Sequence, residues 1–205
     1  MQDGILASQG LESMRKHILK HLEEHRNAFD YLQTHLVDAI ERSADQMVSV
    51  LDRGNKILIM GNGGSAADAQ HFAAELIGRF LIERRALPAI ALTTDSSILT
   101  AVGNDYGFEQ IFSRQVSALA IPGDLVVGIS TSGNSPNVLA AMQVAREAGV
   151  ATMALVGRDG GQLKNVSDQC LCIPGHYTPA IQEAHIAIIH ILCDLIEQKL
   201  FGRGD

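Results

Sequence analysis

The chain has 205 residues, which is long enough for one well-buried domain. Of these residues 46% are hydrophobic and 19% charged, a composition that is typical of a globular protein and argues against disorder. Its formal net charge of −7 argues against a nucleic-acid-binding surface, because phosphate backbones are bound by clustered lysine and arginine side chains. The sequence predicts no signal peptide and no membrane span. It contains three cysteines without paired spacing, Cys170, Cys172 and Cys193. These indicate reduced, buried thiols in a cytoplasmic protein.

The first 53 residues are predicted to form two amphipathic helices. Apolar side chains recur mostly at steps of three and four from Ile18 to Leu51, and we expect the break between the helices near residues 25–27. A helical arm must bury its apolar stripe, so this segment is either a cap on the main domain or an oligomerisation segment, and we favour the second. The predicted division is an N-terminal helical segment, 1–53, and a main domain, 54–205.

From Gly54 onward, short apolar runs alternate with helix-like stretches, and a last long helix is predicted at about 179–201. Short β-branched runs separated by helices predict an α/β fold with a parallel sheet covered on both faces. Ligands bind such sheets at the carboxyl ends of the strands. The predicted strands are 56–60, 89–93, 125–130, 151–156 and 169–173.

A glycine-rich segment, Gly-Asn-Gly-Gly-Ser at 61–65, lies between the first predicted strand and a helix. Glycines let backbone N–H groups approach an anion closely, and a helix start adds unpaired donors and partial positive charge. The segment lacks the lysine of a Walker A loop, and Ala66 stands where a dinucleotide-binding loop needs its third glycine. We therefore favour an anion or sugar site over a simple tight turn.

A hydroxyl-rich segment, Ser-Thr-Ser-Gly-Asn-Ser-Pro at 130–136, follows the third predicted strand. Pro136 fits the first position of a helix, and Ser135 fits its N-cap. Four hydroxyl groups facing a helix start can bind phosphate without any lysine or arginine. We favour a phosphate site over a polar loop with an ordinary cap.

His71 and Glu75 lie four residues apart, which places them on one face of the helix that the glycine-rich segment opens. Asp68, three residues before His71, could orient its ring. A solvated polar face is the alternative. On the last helix, His185 and His190 are either core histidines or functional groups, and the residues alone leave this open.

Four segments resemble the signature segments of phosphoheptose isomerases, in the same order and with approximately the same spacing: 61–76, 103–107, 128–135 and 181–185. The resemblance runs from about 56 to 201. It implies a three-layer αβα SIS fold with a five-stranded parallel sheet and an N-terminal helical extension, assembled as a homotetramer. The implied reaction converts D-sedoheptulose 7-phosphate to D-glycero-D-manno-heptose 7-phosphate through an enediol or enediolate, the first step of heptose precursor synthesis for bacterial lipopolysaccharide and other surface polysaccharides.

The resemblance also implies the site residues. One zinc ion per subunit would be bound by His71, Glu75, Gln182 and His190, with Glu75 as the base at substrate C1 and His190 as the acid. Contacts to the phosphorylated seven-carbon sugar are implied for Asn62, Gly63, Gly64, Ser65, Glu75, Asn104, Asp105, Ser130, Thr131, Ser132, Ser135 and Gln182.

The implied ligand pair Gln182 and His190 is awkward, because eight residues span about 12 Å along a regular helix. An unwound first turn or donation from two subunits would relieve this separation. Spacing alone favours His185, three residues from Gln182, which remains the rival ligand.

The alternative function is a non-catalytic SIS-domain scaffold that binds the replication initiator protein. Such scaffolds tend to depart from the catalytic pattern, whereas all four implied ligand positions are intact here. The resemblance therefore favours the enzyme.

Overall fold

The computed structural model describes residues 2–202 and, for side chains, residues 13–202. In this part of the chain, a five-stranded parallel sheet lies between two layers of helices. This is the predicted α/β class. The outer ends of the two predicted domain ranges, residue 1 and residues 203–205, lie outside the described residues.

The N-terminal helices are α1, Gln2–Tyr31, and α2, Val37–Asp52, joined by a π-helical turn at Leu32–Leu36. The predicted break near 25–27 is therefore wrong, because the helix continues through these positions. Nothing there stops a helix, since neither glycine nor proline occurs. The distortion comes later, where the Thr34 hydroxyl donates to the carbonyl of Asp30 at 2.7 Å and competes with the backbone ladder.

All neighbouring strands of the sheet are parallel, and their order is β2-β1-β3-β4-β5. The connection reverses direction between β1 and β3, so these central strands flank the topological switch point where open α/β sheets bind ligands. All five predicted strands are present, and β2 ends two residues early because the chain turns at Leu92. The strands are β1 Ile57–Gly61, β2 Ala89–Ala91, β3 Leu125–Ser130, β4 Ala151–Gly157 and β5 Gln169–Ile173.

Helices cover both faces of the sheet. Ile57 and Ile59 of β1 belong to a core that includes α1 and α2, whereas Leu58 and Met60 belong to the core on the opposite face. This alternation follows from the pleat of a strand. The remaining helices are α3 Gly64–Ile77, α4 Ser96–Tyr106, α5 Ser113–Leu119, α6 Pro136–Glu147, α7 Leu163–Val166 and α8 Thr178–Phe201.

The last helix, α8, is long and apolar enough to cross a membrane by length and composition alone. Half of its most apolar window is buried in the protein, and Ile188, Ile189 and Leu192 are fully buried. The apolar character of α8 is thus explained by its place in the core.

The N-terminal segment divides into a buried part and an exposed part. Met47 and Leu51 of α2 are fully buried in the same core as the sheet. On α1, by contrast, Met14, Ile18 and Leu22 are 60%, 61% and 61% exposed. Because these three residues are spaced by four, they form one apolar stripe. The assignment of 1–53 to oligomerisation remains a prediction.

The three cysteines lie in the described part of the chain and are free. Cys193 is buried, as predicted, but Cys170 and Cys172 on β5 are only half-buried. Burial raises the pKa of the Cys170 thiol to about 11, so this thiol is protonated and unreactive at neutral pH.

Candidate active site

The two predicted anion-binding segments lie side by side at the switch point. Gly61, the last residue of β1, pairs with Ile129 of β3, so the loops that follow these strands emerge together. Residues 61–65 lead into α3, and residues 130–136 lead into α6. We call them the glycine loop and the serine loop.

The glycine loop has a backbone that only glycine fits. Gly63, the N-cap of α3, has φ 56° and ψ −122°, which residues with a side chain rarely adopt. A Cβ on Gly61 would lie 2.6 Å from the carbonyl oxygen of Ser65. Glycine offers no capping side chain, and the N–H groups of Ser65, Ala66 and Ala67 pair instead with the backbone carbonyls of Asn62 and Gly63 at 3.0–3.2 Å.

The serine loop gathers hydroxyl groups at the start of α6. Ser130 Oγ lies 2.8 Å from Ser135 Oγ and 3.4 Å from Ser132 Oγ. Pro136 is the first residue of α6 and Ser135 its N-cap, as predicted. Among the described residues, the Ser135 hydroxyl pairs with Ser130 and does not cap the helix. Thr131 and Ser132 are partly exposed in the same loop.

A pair of amide hydrogen bonds that the sequence did not predict joins the two loops. Asn62 and Asn137 exchange two amide hydrogen bonds, both 2.8 Å long, and Asn137 is only 2% exposed. The side chain of Asn62, implied as a substrate contact, is thus paired within the protein. The sequence does place Asn137 in the first turn of a helix, but no local pattern predicts that its partner is Asn62, 75 residues away.

The start of α8 reaches the glycine loop. A Cβ on Gly64 would lie 2.2 Å from Gln182 Nε2, so a larger residue at this position would displace the Gln182 amide. Gln182 therefore lies at the start of α3 and next to the glycine loop.

Further along the same two helices, three implied site residues meet. His71 Nε2 lies 2.9 Å from His190 Nε2 and 3.3 Å from Glu75 Oε1. The side chains of His71 and Glu75 are 44% and 24% exposed, so a ligand can reach them. The ring of Phe80 stacks on His190, with centroids 5.5 Å apart. Phe80, like Asn137, was not predicted from the sequence as part of the site.

Parallel packing explains which implied ligands come together. Gly64 contacts Gln182 and His71 contacts His190, so α3 and α8 run side by side in the same direction. The contact points are seven residues apart on α3 and eight on α8, or about 10 and 12 Å. Within one chain, Gln182 therefore lies about two helical turns from the meeting point of His71, Glu75 and His190.

The rival ligand His185 lies in the core. Its side chain is fully buried, and its Nε2 donates to the carbonyl oxygen of Val156 at 3.0 Å. Burial lowers the pKa of His185 to about 4, although the bond to Val156 works in the opposite direction. His185 is thus a neutral core histidine that points toward β4 and away from His71.

Asp68 lies three residues before His71 on α3, about one turn away, and is 8% exposed. Burial raises the pKa of this carboxyl to about 6, while the nearby charge of His71 lowers it. Among the described residues, its Oδ2 has no hydrogen-bond partner. The expected orienting hydrogen bond to His71 does not occur in the described part of the chain.

Asn104 and Asp105, two implied substrate contacts, lie on α4. Both are exposed in the last turn of α4, where Asn104 Nδ2 donates to Asp105 Oδ1 at 2.8 Å. The helix starts at Ser96, and eight residues carry the chain about 12 Å from there. In the described part of the chain, no hydrogen bond joins either residue to the glycine or serine loop.

The donor atoms around His71 decide whether this site could hold a metal ion. Within residues 13–202 no group of three or more His, Cys, Asp or Glu side chains has the arrangement of a metal site. However, His71 contacts one imidazole nitrogen and one carboxylate oxygen. Two imidazole nitrogens and a carboxylate oxygen are donors that suit zinc. The donor chemistry therefore fits a zinc ion.

The fold and the paired loops define a SIS domain, and the family profile of this domain matches residues 20–157. The phosphoheptose isomerase of Trichlorobacter lovleyi is 60% identical over 189 residues, which are 92% of this chain and 96% of the relative. The chain belongs to the phosphoheptose isomerase family, and the resemblance seen in its motifs is confirmed.

Solved structures support the same assignment. The phosphoheptose isomerase GmhA of Neisseria gonorrhoeae has a TM-score of 0.86 and 46% identity, covering 90% of this chain and 99% of that one. A phosphoheptose isomerase of Francisella tularensis has a TM-score of 0.84 and 41% identity, covering 89% of this chain and 97% of that one. The protein is thus an isomerase of sugar-phosphate metabolism and a soluble enzyme.

Proposed function

We propose that the chain converts D-sedoheptulose 7-phosphate to D-glycero-D-manno-heptose 7-phosphate in the cytoplasm, at the start of heptose precursor synthesis for surface polysaccharides. The observation that carries this proposal is the contact of His71 with both Glu75 and His190, about two helical turns along α3 from the glycine loop. Membership of the phosphoheptose isomerase family supports the choice of substrate.

The phosphate group binds through neutral donors. Backbone N–H groups of the glycine loop and the clustered hydroxyls of Ser130, Ser132 and Ser135 donate to its oxygens. Further contacts are proposed for Gly63, Gly64, Ser65 and Thr131, and toward the sugar for Asn62, Gln182, Asn104 and Asp105. Since the last two make no hydrogen bond to either loop in the described part of the chain, we propose that they serve a site in another subunit.

Isomerisation moves one proton between adjacent carbons. We propose that the Glu75 carboxylate takes a proton from C1 while His190 donates a proton to the C2 oxygen, which produces an enediol. His190 then takes the proton from O1 while Glu75 returns its proton to C2, which completes the aldose and restores both residues. The bond positions change within the sugar, so the reaction needs no oxidant, reductant or water.

We propose one zinc ion per subunit, bound by His71, Glu75, Gln182 and His190, with Gln182 supplied by another subunit because within one chain it lies about two helical turns from the other three. A bound zinc ion polarises a carbonyl oxygen and stabilises negative charge on it. Metal analysis of the purified enzyme tests this assignment, with chelator treatment and zinc addition followed by activity and by thermal unfolding. We expect about one zinc per subunit, with activity lost on chelation and restored by zinc. Full activity after complete metal removal would reject the assignment.

We also propose a homotetramer whose contacts include the exposed stripe of Met14, Ile18 and Leu22 on α1. Light scattering should give four times the subunit mass. The double substitution Ile18→Asp with Leu22→Asp should reduce that mass. An unchanged mass would exclude the stripe from the interface.

Incubation with D-sedoheptulose 7-phosphate tests the proposed reaction. We expect an aldoheptose 7-phosphate product, detected by its aldehyde after derivatisation. A correctly assembled, zinc-loaded protein that releases no aldose would contradict the proposal and favour a non-catalytic scaffold.

A further inference from the structure

A buried ion pair links the ends of the two helices that carry the proposed acid and base. The side chains of Arg84 and Glu197 are 1% and 0% exposed, and Arg84 Nε lies 2.9 Å from Glu197 Oε1. Arg84 belongs to the segment between α3 and β2, and Glu197 belongs to α8. Burying two charges is costly, so such a pair needs further hydrogen bonds to be tolerated.

Arg84 binds the end of α3. Its Nη2 donates to the carbonyl oxygen of Glu75 at 2.8 Å, and its Nη1 donates to that of Leu76 at 2.8 Å and of Gly78 at 3.2 Å. The last carbonyl groups of a helix have no partner within the helix, and a cation there also suits the helix dipole. The Arg84 side chain therefore holds the backbone of Glu75, the proposed base.

Glu197 binds the segment that follows α3. Its carboxylate accepts from the backbone N–H groups of Phe80, Leu81 and Ile82 at 2.7–2.8 Å. Phe80, in turn, stacks on the ring of His190. Since His190 and Glu197 are seven residues apart on α8, they lie on the same face of that helix. Glu197 thereby fixes the aromatic ring that packs against the proposed acid.

We propose that Arg84 and Glu197 are positioning residues, which set the distance between Glu75 and His190 by joining the end of α3 to α8. The pair touches neither substrate nor the reacting atoms, and this inference rests on the proposed isomerase function. It predicts that loosening the pair lowers turnover more than substrate binding, because the phosphate loops lie at the other end of both helices.

The test compares Glu197→Gln with Asp124→Asn, a matched control. Asp124 is also a buried carboxylate that accepts four hydrogen bonds and pairs with a cation, Lys56, but it lies at the amino ends of β1 and β3, away from the site. Glu197→Gln should lower kcat about 10- to 100-fold with KM changed less than about threefold. Asp124→Asn should leave kcat within about threefold at a temperature where both variants are folded.

A signal that does not depend on activity separates this inference from the proposed function. Stacking by Phe80 shifts the NMR signal of the His190 ring, which is assigned by its loss in His190→Gln. The shift should change in Glu197→Gln but remain in Asp124→Asn. If wild-type enzyme lacks isomerase activity, the proposed function fails, but an altered shift still shows that the pair positions His190.

Two further variants cover the case in which Glu197→Gln does not fold. Arg84→Lys keeps the positive charge but lacks the planar guanidinium group that makes several hydrogen bonds at once. The charge alone should not preserve the function of Arg84, so kcat should fall. Phe80→Leu leaves the ion pair intact and should also lower kcat. The inference would be overturned if Glu197→Gln and Asp124→Asn lost kcat equally. It would also be overturned if the Arg84 and Phe80 variants kept a normal kcat and an unchanged His190 signal.

Discussion

The two ends of the candidate site are built from different chemistry. At the phosphate end, the glycine and serine loops offer backbone N–H groups and hydroxyls, with Ser130 and Ser135 2.8 Å apart. At the acid–base end, titratable side chains meet across two helices, with His71 and His190 119 residues apart in sequence. One end consists of contiguous segments, and the other exists only because α3 and α8 pack in parallel.

This difference separates binding from turnover. Neutral donors bind a phosphate whatever the state of the acid–base groups, so changes at one end should affect KM and changes at the other should affect kcat. The following predictions test that separation.

The largest effect is expected for Glu75→Gln. The amide keeps the shape of the side chain but cannot take the proton from C1, so kcat should fall by about 10²–10⁴, the range that a general base contributes. Calorimetry should show that phosphosugar binding is retained. Glu83→Gln, which changes a side chain that is 90% exposed, is the control and should have normal kcat. A near-normal rate for Glu75→Gln would remove this residue as the base.

The second prediction compares the two histidines of α8. The pKa of buried His185 is about 4, below the ordinary value of 6.5, so its stabilising contribution is complete above pH 6.5 and is lost as pH falls toward 4. Wild-type protein should lose about 3 kcal/mol of unfolding free energy from this group over that range. Urea unfolding at several pH values measures the loss.

His185→Gln should remove this part of the pH dependence while keeping a donor for Val156. His176→Gln, at an exposed position, should leave it unchanged. The same pH dependence in His185→Gln and wild type would show that His185 is not the responsible group.

At the phosphate end, Ser135→Ala should raise KM about 10- to 100-fold with little change in kcat, because it removes one hydrogen bond to a charged group. Inhibition by inorganic phosphate should weaken in parallel. Ser167→Ala, whose hydroxyl donates to the carbonyl of Leu163, is the control. A loss of kcat without a change in KM would contradict the separation of the two ends.

The smallest effect is expected for Asn137→Ala, which removes the amide pair between the loops. Asn62 would lose its partner in a partly buried place, at a cost of about 1–3 kcal/mol in unfolding free energy. KM should rise as the loops separate. Asn165→Ala, at an exposed position on α7, should have no comparable effect on urea unfolding. Unchanged stability in Asn137→Ala would show that the pair does not hold the loops together.

The sequence by itself determined the features that depend on neighbouring residues. Five strands, the glycine loop, and the helix start at Pro136 were all predictable, because apolar runs, glycine and proline act on the backbone locally. The same local view placed the break of the N-terminal helix wrongly, since a π-helical turn at Leu32–Leu36 leaves no glycine or proline signal.

Only the tertiary structure decided which distant side chains meet. Spacing along α8 favoured His185, yet parallel packing of α3 and α8 brings His190 to His71 and buries His185 against β4. The Asn62–Asn137 pair and the Arg84–Glu197 pair likewise join residues more than 70 positions apart. Such contacts depend on the relative placement of whole helices and strands, and that placement is set by burial of both faces of the sheet and not by any local pattern.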